Sequence, residues 1–160
     1  MTEIIVAQDA PVLVAIDIAK ARHEVLIAIP DKKRRRRLTV LNELADFNRL
    51  VTALKEYGRP VRVAFEATGN YHRALAYHLA TAGFEVKLVS SVALARTREA
   101  LNNSWDKNDP KDAQVILHMM EIGNTQFYHD HWRAAPTTFR SCPKPITSSL
   151  NPRLNFGTAS

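Results

Sequence analysis

Four carboxylates, Asp17, Glu66, Asp109 and Asp112, are of a type and placing that could do chemistry together. Asp17 interrupts VLVAIDI at residues 12–18, a run otherwise apolar and β-branched, as in a strand buried on both faces. A buried lone carboxylate is costly unless it is paired, hydrogen-bonded or metal-bound. It lies near the strand's carboxyl end, where open α/β sheets collect ligands. A carboxylate capping the following turn would explain it equally well. Glu66 ends VRVAFE in the same way, ahead of ATGNY. Glu is a poor turn residue, so capping explains it less well, although an exposed strand end would accommodate it. If these two strands are parallel neighbours, the carboxylates emerge side by side on backbones about 4.8 Å apart. At that spacing they repel unless a proton or a cation lies between them.

Asp109 and Asp112 lie in KNDPKDA. At i and i+3 on a helix they share a face. They also read as a helix start, with Asp109 as N-cap, Pro110 at the first position and Asp112 as the acid of a capping box. The two readings are compatible. Four acids on such a scaffold suggest a divalent-metal site, whose hard oxygen ligands suit Mg²⁺ or Mn²⁺. A pair of such ions can clamp the attacking and leaving oxygens of an in-line phosphodiester displacement. His23, His72, His78, His118, His129 and His131 are scattered and show no zinc spacing. The other charged feature is KKRRRR, comprising Lys32, Lys33, Arg34, Arg35, Arg36 and Arg37. Such a run is commonly a solvated loop, but its like charges repel, and the phosphates of a nucleic acid would relieve that repulsion. Tyr71 and Trp105 lie beside the acidic motifs and could stack on bases or pack in the core.

The elements that must position these residues follow from periodicity. Strands are expected at 12–18, 24–29 and about 35–40, the first two joined by a connection too short for a helical crossover. Leu44, Phe47, Leu50, Val51 and Leu54 then define a helix face, with Asn42 as N-cap and Gly58 after the last turn. Strand 61–66, helix 71–82, strand 84–89, helix 91–101 and a helix from 110 to about 122 complete the order β-β-β-α-β-α-β-α-α. An antiparallel meander followed by parallel crossovers predicts one mixed five-stranded α/β sheet with helices on both faces.

At 160 residues the chain is expected to hold one domain, over residues 10–131. Residues 132–160 read as an irregular tail. Positions 134–160 lack Asp and Glu and carry four of the eight prolines, with no sustained period. The formal charge of +6 favours polyanionic partners. A single cysteine, Cys142, excludes an internal disulfide framework and a multi-cysteine zinc site. The first apolar stretch is too short to span a bilayer and lacks the features of a secretory signal, so a cytoplasmic location is expected.

Taken in order, AIDIAKARHE, FEATGNY and KNDPKDAQVI resemble the motifs of the DEDD transposases of the insertion sequence 110 family, over residues 12–125. The resemblance implies a RuvC-like, RNase H-like fold and places the family's four acids on Asp17, Glu66, Asp109 and Asp112, with Asp106 outside the motif. It implies metal-dependent DNA cleavage and strand transfer with Mg²⁺ or Mn²⁺, guidance by an RNA, and assembly into homo-oligomers. Full-length members continue into a second domain that supplies a nucleophilic serine. Nothing after about His131 resembles it, and Ser141, Ser148, Ser149 and Ser160 have no matching context, so a truncated chain is expected. The alternative is a non-catalytic nucleic-acid-binding relict or regulator. An actin-like ATPase would also fit the element order but calls for Gly-rich phosphate loops, and the five glycines here are never adjacent.

Overall fold

The computed structural model describes residues 10–67, 69–101 and 111–128. The elements are β1 (Val12–Asp17), β2 (Arg22–Ala28), β3 (Arg36–Leu41), α1 (Leu44–Lys55), β4 (Val61–Glu66), α2 (His72–Thr81), β5 (Glu85–Val89), α3 (Ser91–Ala100), α4 (Lys111–Glu121) and β6 (Gln126–Phe127). One sheet runs β3-β2-β1-β4-β5-β6. The first three strands form the expected antiparallel meander, and β4 and β5 run parallel to β1.

Two expectations are corrected. The sheet has six strands, because Gln126 and Phe127 pair antiparallel with Leu88 and Lys87. Two residues are too few to show a period of two, so only their partner strand reveals them. Asn42 is not the N-cap of α1; that position falls to Glu43, whose side chain makes no capping bond. Asn42 instead donates from Nδ2 to the Lys20 carbonyl oxygen at 3.0 Å, tying down the β1–β2 turn. The α1 start is held by Asp46, which is buried and accepts the Leu41 N–H at 2.8 Å. Gly58 follows α1 as expected, with φ of 61°.

Strand alternation divides the interior into two cores. Val12, Val14 and Ile16 of β1 join Val61, Val63 and Phe65 of β4 against α1 and α2. Ala15, Leu26 and Ala64 face the other way, with Leu94 of α3 and Ala113, Val115, Ile116, Leu117, Met119 and Met120 of α4. Ala15 and Ala64 are cross-strand partners and fully buried. Two methyl groups at this spot let α4 lie close over the β1–β4 seam. His23 is fully buried against Phe47, and its Nδ1 accepts the Ala19 N–H at 3.3 Å.

Candidate active site

The register carries two of the expected acids to one place. Ile16 pairs with Phe65 in the parallel β1–β4 ladder, so Asp17 and Glu66 follow as neighbours at the two strand ends. By alternation each lies on the side of Ala15 and Ala64, the side covered by α4. Asp112 stands in the first turn of α4, which packs on β1 and β4. Gly69, with φ of 58°, turns the chain from Glu66 into α2, a backbone conformation that a side chain would strain.

The electrostatics reflect that convergence. Burial pushes the Asp17 carboxyl above its usual range; the charges of Asp112, then Glu66, then Glu24 push the same way, and Arg98 opposes them. Arg98 is itself engaged, with Nη2 2.6 Å from Asp112 Oδ1. Sequence reasoning missed two of these residues. Glu24 is the direct partner of Asp17 across the β1–β2 hairpin. The short connection was a usable signal, since fixing that register places residue 24 opposite residue 17. Its carboxylate is held by Thr39 Oγ1 at 3.1 Å and by Arg37 at 3.4 Å. Arg98 left no signal, because only the packing of α3 on α4 brings it to Asp112.

Asp109, Asp106 and Trp105 lie outside the described residues, as do His129, His131, Cys142 and the tail. Among the described residues no group of three acids, histidines or cysteines is close enough to hold one metal ion. The donors nevertheless fit a hard divalent cation in kind. They are all carboxylate oxygens, one half-buried among like charges, and a guanidinium already sits on another.

The basic run does not form a uniform patch. It leads into and starts the edge strand β3, and its members have separate partners. Arg35 lies 3.8 Å from Glu121, Arg36 donates to the Tyr57 hydroxyl at 3.4 Å, and Arg37 is held by Glu24. Lys32, Lys33 and Arg35 line a cavity of about 350 Å³ with Pro11, Leu13, Ala28, Ile29, Pro30 and Glu121. That cavity lies beside the start of β1, whereas Asp17 is at its end. At about 3.3 Å per residue the two are roughly 17 Å apart. Tyr71 is exposed at the start of α2, not in the core. Among the described residues no helix is long and apolar enough to cross a membrane.

Comparison with known proteins agrees with the motifs. The model of the IS110 DEDD family, described as Transposase, matches residues 14–135. A Streptomyces coelicolor protein described as the mini-circle transposase for IS117 is 29% identical over 113 residues, covering 68% of this chain. The chain spans 27% of that relative's length. Among solved structures, Thermus thermophilus RuvC in complex with a Holliday junction substrate has a TM-score of 0.48 and 16% identity, covering 74% of this chain and 100% of its own. YeaZ from Pseudomonas aeruginosa has a TM-score of 0.36 and 18% identity, covering 59% of this chain and 50% of its own. The meander followed by parallel crossovers is an RNase H-like fold. With its three motifs in order and the family model spanning most of its length, the chain belongs to the IS110 family of DEDD transposases.

Proposed function

We propose that this domain cleaves and transfers phosphodiester bonds of DNA in insertion-sequence transposition, with a divalent cation held by Asp17, Glu66, Asp112 and Asp109. The observation that carries the reading is the meeting of Asp17 and Glu66 on the α4 side of the sheet, with the charge of Asp112 felt at Asp17. Mg²⁺ or Mn²⁺ suits an all-oxygen donor set. Bound there, the ion would supply Lewis-acid stabilisation of charge developing on phosphate oxygens.

The chain's own residues have separable tasks. Asp17 and Glu66 are fixed by strand backbone, so their spacing costs little to organise. Asp112 comes from a helix start, where the dipole favours a carboxylate. Glu24, fastened by Thr39 and Arg37, adds negative field beside Asp17. Lys32, Lys33 and Arg34 provide charge at the other end of the sheet for a nucleic-acid backbone. An RNA guide would be recognised by the same charge, and a homo-oligomer would bring two such sites to one DNA.

Incubation of the full chain with supercoiled and branched DNA tests the reading. Nicking that requires Mg²⁺ or Mn²⁺ and falls at least about 100-fold in Asp17→Asn is the expected result. DNA binding without nicking in either metal would leave a nucleic-acid-binding module in its place.

A further inference from the structure

We infer that Arg98 is the resident counter-ion of the carboxylate site and competes with a divalent cation for Asp112; the inference rests on the metal-site reading above. The guanidinium and the carboxylate meet at 2.6 Å from two different helices, α3 and α4. The sheet brings Asp17 and Glu66 from below, and the two helices bring a matched charge pair from above. Asp112 Oδ1 cannot be given in full both to a guanidinium and to a metal ion.

The pair is built to be exchangeable. The side chains of Arg98 and Asp112 keep 46% and 40% of their exposure, and ion pairs so open to water are weak. A divalent ion carries twice the charge of a guanidinium and binds several carboxylates at once, so drawing Asp112 and the strand-end acids Asp17 and Glu66 around one ion wins the exchange. Without such an ion, Arg98 offsets the repulsion among those acids. A plain helix–helix tie makes the opposite prediction: removing it would loosen α4 and weaken metal binding. The sign of the change therefore separates the two.

Calorimetric titration of the full chain with Mn²⁺ alone, at low ionic strength, tests the inference. Arg98→Gln is expected to bind Mn²⁺ about three- to tenfold more tightly than the wild type. Arg98→Lys, which keeps the charge, is expected to stay near the wild-type affinity, and Asp17→Asn to lose binding. Urea denaturation of each variant verifies that it is folded. Binding that Asp17→Asn abolishes but Arg98→Gln leaves unchanged or weaker overturns the counter-ion role and leaves the metal site standing. Tightening by Arg98→Lys equal to that by Arg98→Gln overturns it as well. Mn²⁺ binding indifferent to Asp17→Asn, or absent from both wild type and Arg98→Gln, overturns the metal site and the inference together.

Discussion

At Asp17, burial and then the charges of Asp112, Glu66 and Glu24 hold the carboxyl above its ordinary value of 3.8. The folded chain thus binds this proton more tightly than the unfolded chain does. The stabilisation is complete below about 3.8 and is lost as pH rises through the raised folded value. At neutral pH the charged Asp17 costs stability. Asp17→Asn should therefore raise the melting midpoint at pH 7, by about 1–3 °C, even as it removes the proposed metal binding. A lower midpoint would show that the charge is already balanced. Buried His23 behaves in the opposite direction. Its pKa is lowered from 6.5, chiefly by burial. The unfolded chain takes up that proton first, so stability is full above 6.5 and falls with pH toward the folded value. His72 is lowered too, by burial and then by Arg73. The urea midpoint should drop between pH 7 and pH 5, and the drop should shrink in His72→Phe, whose ring suits the Phe65–Tyr128 surroundings.

Among the elements, α1 and α4 depend most on single residues. Asp46→Ala should destabilise by about 1–2 kcal/mol in urea denaturation, because it strips the Leu41 N–H of its acceptor and α1 of the acid in its first turn. An Asn42→Ala variant should cost less, since the Asn42 bond to the β1–β2 turn is exposed to water. The height of α4 over the sheet is set by Ala15 and Ala64. Ala64→Leu should overpack that seam at a cost of about 1–3 kcal/mol and lift Asp112 away from Asp17. Mn²⁺ affinity should then fall together with stability, whereas an unchanged affinity would show that the acids do not act as one site. In the sequence α4 was legible as a helix, but its depth was not. Leu117 and Met119, two positions apart, point to different sides of the helix, yet residues 113–117, 119 and 120 are all buried.

At the scale of the whole molecule, the carboxylates and the basic turn occupy opposite ends of the sheet. A nucleic acid engaging both, as proposed, would touch them at separate backbone positions. Replacing Lys32, Lys33 and Arg34 with Ala should flatten the salt dependence of DNA affinity by about 0.9 in log–log slope for each phosphate no longer neutralised. Arg37→Ala should instead lower stability and disturb Glu24, with a smaller change in slope, because its guanidinium is held by Glu24. Equal flattening by both variants would return the whole tract to the binding surface.

Local pattern was enough to determine most elements of this chain: apolar β-branched runs made the strands, 3.6-residue periodicity made the helices, and the motifs around Asp17, Glu66 and Asp112 identified the family. These are short-range properties, fixed by backbone sterics and by which side chains avoid water. Tertiary structure alone decided the rest. A two-residue strand found its edge on β5, and the packing of α3 on α4 delivered Arg98 to Asp112. Long-range encounters of this kind leave no local trace, because the residues that meet share no period and no neighbourhood until the sheet and helices have closed around them.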